Sequence, residues 1–243
     1  FCAPIIPLDL LGDVVGVSDS SVRVWFAKDV NNDGRGDVLT VRSVGHRITA
    51  PPVLSLDGPR LSIGVGDADG GLSIMTNDSL KRFSVSSQNS VRAVLNVDGN
   101  WIALAEDKAA TTDGKSWDFK GEKSVQAASG DLDGDGVPEI VVVTESNNVL
   151  VFNQTSSQIR GFPLPSSSGD LSPIAIGDVD GDGRKEIVYS RGSKIFALNF
   201  QGFPIDHFPI TLPQAAGTAT GVVLAQLGTD KTLSLFVGSS TGL

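Results

Sequence analysis

A strand–turn–strand pattern that returns six times, strands that are apolar on both faces, and a glycine-rich composition lacking helical periodicity together predict an all-β fold, a β-propeller of four-stranded blades. The chain has 243 residues, of which 40% are hydrophobic, enough to bury a sizeable core. It contains 28 Gly and 12 Pro, and no stretch repeats apolar residues at helical spacing for more than two turns.

The repeat is read by laying DVVGVSDSSVRVWF (Asp13 to Phe26) over EIVVVTESNNVLVF (Glu139 to Phe152) and EIVYSRGSKIFAL (Glu186 to Leu198). Each is an acid, an apolar run, a polar turn and a second apolar run. RLSIGVGDADGGLSIM from Arg60, WIALAEDKAATTDGKSWDF from Trp101 and LSLFVGSSTGL from Leu233 follow the same plan. The units start at 13, 60, 101, 139, 186 and 233, in steps of 47, 41, 38, 47 and 47. The turns SDSS, GDADGG, ESNN and SSTG are rich in residues that accept turn geometry, and Asp69-Gly70 supplies positive φ cheaply.

Upstream of the paired runs lie further short apolar segments, Val91 to Leu95, Val125 to Ala128, Ile174 to Ile176 and Val222 to Ala225. Downstream lie weaker ones, Leu80 to Val85 and Phe208 to Leu212, which brings each unit to about four strands. Strands such as IVVV (140 to 143) are apolar on both faces and therefore expected to be covered on both, as in blades packed face to face. A β-sandwich has no reason to repeat one motif six times in register. Six blade starts are visible and the last is incomplete, so six or seven blades are expected, residues 1–243 forming a single propeller domain of a longer chain. The opening FCAPIIPLDL lacks the basic region and long apolar run of a signal peptide, and no apolar run approaches the roughly 20 residues of a membrane span.

Net charge is −9, which argues against nucleic acid as a partner. Eleven of the 28 acids fall in three short segments, leaving 17 acids against 19 bases elsewhere. Something positive is expected at those segments. Two of them, Asp131-Leu-Asp-Gly-Asp-Gly-Val-Pro-Glu139 and Asp178-Val-Asp-Gly-Asp-Gly-Arg-Lys-Glu186, read D-x-D-x-D-G-x-x-E at the same phase of the repeat. Ca²⁺ takes six to eight oxygens at about 2.3–2.6 Å. Asp131, Asp133 and Asp135, like Asp178, Asp180 and Asp182, converge on one point if the loop curls, and the glycine at position six permits the bend. Val137 or Arg184 at position seven offers a backbone carbonyl, and Glu139 or Glu186 closes the site. An EF-hand closes at position twelve on a helix. Here the closing acid sits at nine and a strand follows at once. Without a metal, four such carboxylates would repel strongly.

A third candidate calcium site, Asp29-Val-Asn-Asn-Asp-Gly-Arg-Gly-Asp37, offers Asp29, Asn31, Asp33, Arg35 (by its carbonyl) and Asp37. It follows the second apolar run of its unit instead of preceding the first. Asn96-Val-Asp98-Gly-Asn100 reads as a shortened remnant of the motif.

These D-x-D-x-D-G-x-x-[DE] loops ahead of EIVVV and EIVYS resemble the FG-GAP/VCBS-type repeats of integrin α-subunit propellers and many bacterial secreted proteins. The GFP segments at 161–163 and 202–204 resemble blade-ending segments of the bacterial members. The resemblance implies a calcium-stabilised propeller on an extracellular, cell-surface or periplasmic protein, with structural loops and recognition on other surfaces.

The remaining residues point to no reaction. Cys2 is the single cysteine, so no internal disulfide forms. Arg35-Gly36-Asp37 spells an integrin-recognition tripeptide, but Asp37 is then spent on metal. His46 and His207 lie in different units and have no neighbouring nucleophile. Trp25, Trp101 and Trp117 are read as packing residues, with a sugar-stacking platform as the sharper alternative. Asn77-Asp78-Ser79 and Asn153-Gln154-Thr155 are glycosylation sequons. The expected function is a binding or scaffold module for a protein or glycan. The rival readings are a catalytic or a non-catalytic propeller domain of a secreted polysaccharide-degrading enzyme.

Overall fold

A computed structural model describes residues 2–5, 13–25, 32, 38–57, 60–76, 78–153, 157–159, 161–162, 171–227 and 233–242. The chain groups into two compact units, Phe1–Ser124 and Val125–Leu243.

The first unit holds three antiparallel sheets of four strands, each in chain order. They are β1 (Cys2–Ile5), β2 (Asp13–Ser18), β3 (Ser21–Trp25) and β4 (Val38–Ser43); β5 (Val53–Asp57), β6 (Arg60–Gly66), β7 (Gly71–Met75) and β8 (Leu80–Ser84); and β9 (Val91–Val97), β10 (Asn100–Ala105), β11 (Lys108–Thr111) and β12 (Ser116–Asp118). In the second unit β13 (Ser124–Gly130), β14 (Glu139–Thr144) and β15 (Val149–Phe152) form a sheet of three. There β16 (Ala175–Gly177), β17 (Glu186–Arg191), β18 (Lys194–Leu198) and β19 (Ile210–Thr211) form a sheet of four, and β20 (Ala219–Gln226) pairs with β21 (Leu233–Ser239). Among the described residues, the predicted unit starts open the second strand of their sheets at β2, β6, β14, β17 and β21, and Trp101 is the second residue of β10. The sixth sheet has two strands among the described residues.

Packing explains why the central strands are apolar on both faces. Side chains alternate across a strand, so neighbouring residues serve opposite faces. In β17, Ile187 and Tyr189 join a cluster with Val141, Val149 and Val151 of the preceding sheet. Val188 instead joins Ala197 and Val222, backed by Leu224 and Leu235 of the following sheet. In the first unit, Ile63 and Val65 of β6 pack with Val15, Val22 and Val24. Trp101 packs with Leu72, Val91 and Val94 in the next layer. Each such fully covered Val, Leu or Ile contributes roughly 1.5–3 kcal/mol. Between the layers the backbone comes close: a Cβ on Gly64 would lie 2.2 Å from the Trp101 ring. Trp101 is thus a packing residue, 7% exposed.

Turn chemistry sets the hairpins. Gly70 takes φ +76° in the β6–β7 turn. Asp67, fully buried, accepts the N–H groups of Asp69 and Gly71 at 2.9 Å each and the Arg82 guanidinium at 2.8 and 3.0 Å. A buried carboxylate is costly unless paired, and here four donors face it.

Candidate metal centre

Both nine-residue loops connect the first strand of a sheet to its second, β13 to β14 and β16 to β17. The two fold alike, bond for bond. Asp131 accepts the N–H of Gly134 at 2.8 Å on one oxygen and that of Gly136 at 3.0 Å on the other. Asp178 takes Gly181 at 2.7 Å and Gly183 at 3.1 Å. Asp133 accepts from Asp135 at 3.1 Å and Asp135 from Val137 at 2.7 Å. Asp180 accepts from Asp182 at 3.1 Å and Asp182 from Arg184 at 2.8 Å. The bonds of Asp133, Asp135, Asp180 and Asp182 are side-chain-to-backbone turns two residues long, a local habit of aspartate, while those of Asp131 and Asp178 span three and five. The glycines at position six, Gly136 and Gly183, take φ +87° and +91°, where a Cβ would be strained.

The closing acids differ from the rest. Glu139 and Glu186 open buried strands and are 3% and 2% exposed. Each reaches back to position two, accepting the N–H of Leu132 at 2.8 Å or Val179 at 2.9 Å. Burial pushes both carboxyls up, that of Glu186 to about 7; the backbone bond pulls down, and the three aspartates of each loop push up again. A positive charge in the loop would relieve both causes of the rise.

One carboxylate oxygen each from Asp131, Asp133 and Glu139 lies within 4.8 Å of the others, and Asp178, Asp180 and Glu186 are gathered in the same way. The acids at position five, Asp135 and Asp182, fall outside these groups and are bound to the backbone of position seven. Val137 and Arg184 enter the hydrogen bonding through their N–H groups; their carbonyls remain expected donors. The donor set is all oxygen and strongly anionic, which fits a hard cation such as Ca²⁺. Asp29, Asn31, Asp33, Arg35 and Asp37 of the third candidate, and with them the Arg35-Gly36-Asp37 tripeptide, lie outside the described residues.

Sequence reasoning missed position two. Leu132, 1% exposed, joins the core cluster and holds the loop down while its N–H serves Glu139. An apolar residue between two aspartates, seven before a glutamate, was the available signal.

A third group of close ligand atoms joins His46, Asp67 and Asp69. It is a different object. Asp67 is already matched by Arg82, and His46 Nδ1 meets Asp69 at 2.7 Å. A guanidinium beside the only buried acid of the three opposes a further cation.

The comparisons with known proteins agree with this layout. Residues 131–189, which contain both loops, match the FG-GAP-like repeat family. No curated protein sequence matches the chain. Among solved structures, BBS1N in complex with ARL6DN aligns with a TM-score of 0.69 at 12% identity, covering 95% of this chain and 72% of that one. BamB from Moraxella catarrhalis aligns at 0.60 and 16% identity, over 95% of this chain and 65% of that one. The V. cholerae biofilm matrix protein Bap1 aligns at 0.51 and 17% identity, over 80% of this chain and 35% of that one. The fold is a β-propeller. Residues 131–189 are similar to the FG-GAP-like repeat. Among the described residues no helix is long and apolar enough to cross a membrane.

Proposed function

We propose that residues 1–243 form one calcium-stabilised β-propeller domain that serves as a binding or scaffold module for a protein or glycan, outside the cytoplasm. The observation that carries this reading is the bond-for-bond identity of the two acidic loops, each gathering three carboxylates around one point. Asp131, Asp133 and Glu139 would hold one ion and Asp178, Asp180 and Glu186 a second. Asp135, Asp182 and the carbonyls of Val137 and Arg184 are available to complete the shells, and residues 29–37 offer a third site. A bound ion supplies charge neutralisation and ties a solvent-facing loop to the buried start of a strand.

The setting is supported by calcium chemistry. Calcium sites on solvent-facing loops suit the roughly 10⁻⁴–10⁻³ M affinities of extracellular modules. A biofilm matrix protein is among the structural neighbours, and BBS1N is a neighbour seen in complex with another protein. The net charge of −9 speaks against nucleic acid.

The test is metal analysis of the purified chain together with thermal melts in calcium and in chelator. Bound calcium and a melt that falls on chelation are expected. No bound calcium and superimposable melts would remove the metal, and with it the reading.

A further inference from the structure

A cleft of about 710 Å³ opens in the second unit between the loop 178–186 and the chain that leads from β18 to β19. That volume falls in the range of small-ligand sites. Its acidic wall includes Asp180 and Asp182, its apolar wall Phe200 and Phe208, and Asp206 lies at its rim.

The rim is built before any ligand arrives. Asn199 Oδ1 accepts the N–H groups of Gln201 at 3.1 Å and Phe203 at 3.0 Å. Ile205 donates to Ala197 at 3.1 Å and Phe208 to Ile205 at 3.2 Å, which closes the turn bearing Asp206. His207 completes that turn at φ +68°. A wall held by backbone bonds loses little conformational entropy on binding.

Charge decides what fits. The lining carries four carboxylates, Asp180, Asp182, Glu186 and Asp206, against the single guanidinium of Arg184. The Arg184 side chain is drawn aside, its Cγ 3.3 Å from where a Cβ on Gly134 of the first loop would stand. A divalent ion held by the second loop would be shared with Asp178 as well, so five carboxylates face the two charges of the ion and the guanidinium of Arg184. The balance stays negative, and Asp206 is the acid that is exposed and outside the loop.

We propose that this cleft receives a lysine or arginine side chain of a protein partner, its cationic head at Asp206 and its stem along Phe200 and Phe208. A net negative charge beside two aromatic rings complements a positive charge on an apolar stem. The inference rests on the calcium reading above, because without the ion the balance of the cleft changes.

The experiment titrates the isotopically labelled full chain, in saturating calcium chloride, with N-acetyl-Gly-Arg-Gly-amide, its Gly-Glu-Gly counterpart and methyl glucoside. Saturable amide shifts at Gly202 and His207 with the arginine peptide alone are expected. Asp206→Asn should weaken that binding about fivefold, the upper size of one exposed charge pair, while leaving the calcium isotherm and the melting temperature unchanged. No saturable shift, an equal response to the glutamate peptide, occupation by the glucoside, or an unaltered affinity in D206N each overturns the proposal. The calcium isotherm of the same sample separates the two failures: an ion that binds beside a peptide that does not leaves the metal reading standing.

Discussion

Glu186 reaches back seven residues to accept the backbone N–H of Val179 at 2.9 Å, and Glu139 does the same to Leu132 at 2.8 Å. The strand that follows each loop therefore begins with a buried carboxylate that faces three aspartates. Such a group is stable as an anion only with a counter-charge.

Calcium at a hundred times its dissociation constant should stabilise the fold by about 2.7 kcal/mol per site. For a chain of this size that is a rise in melting temperature of about 5–10 °C per site. Glu186→Gln preserves an oxygen for the Val179 N–H while removing the charge. The variant should bind one calcium fewer by calorimetry and show a correspondingly smaller rise. An isotherm identical to that of the parent would refute the role of Glu186.

The pH dependence follows from the same carboxyl. In the folded, calcium-free chain Glu186 is raised from 4.5 to about 7. Its contribution is thus fully present below pH 4.5 and is lost as pH rises through 7. In chelator, the melting temperature should fall between pH 5 and pH 8. In calcium it should rise over the same interval, because ion binding displaces the proton. Calorimetry in two buffers of different ionisation enthalpy should detect proton release near pH 6. A calcium-free melt that climbs steadily across this window would contradict the assignment.

Gly64→Ala places a methyl group 2.2 Å from the Trp101 ring. Overpacking of this kind costs typically 1–3 kcal/mol. Gly221→Ala, where a Cβ meets nothing within 4 Å, is the matched control. Denaturant melts should separate the two variants, and equal stabilities would mean that the two layers are not held this close.

Arg82→Leu removes the cation facing Asp67, which is 0% exposed. Breaking a buried pair costs about 3–5 kcal/mol. The lower end is expected, because two backbone N–H groups still face Asp67 and the Arg82 side chain is one-third exposed. The Arg82→Leu/Asp67→Asn double variant should recover part of the loss, measured by denaturant unfolding. A double variant no more stable than the single one would show that the pair is not the unit.

Much of this layout was readable because it is local. The Asp131 and Asp178 loops bond within themselves over two to seven residues, so spacing alone announced them. Other parts were not. Cys2–Ile5 pairs with β2, Cys2 opposite Gly16 and Ile5 opposite Asp13, a strand the repeat pattern did not include, and its Pro4 cannot donate to a ladder. The strand is tolerated since it lies at the sheet edge. GDADGG was legible as a turn, but the partner of Asp67 comes from Arg82, 15 residues on across the hairpin. No spacing rule links that pair.

From its order of residues alone, the chain determined the repeat, the strand phase and the oxygen-rich bends, since each depends on contacts a few residues apart and on the two-residue period of a strand. Tertiary structure alone decided which strand faces meet, how deeply Glu139 and Glu186 sink, how near Gly64 stands to Trp101, and where the Asp206 turn comes to lie beside the second loop. Those are long-range outcomes of filling space between sheets, and neither burial nor the energy of a charge is defined until that space is filled.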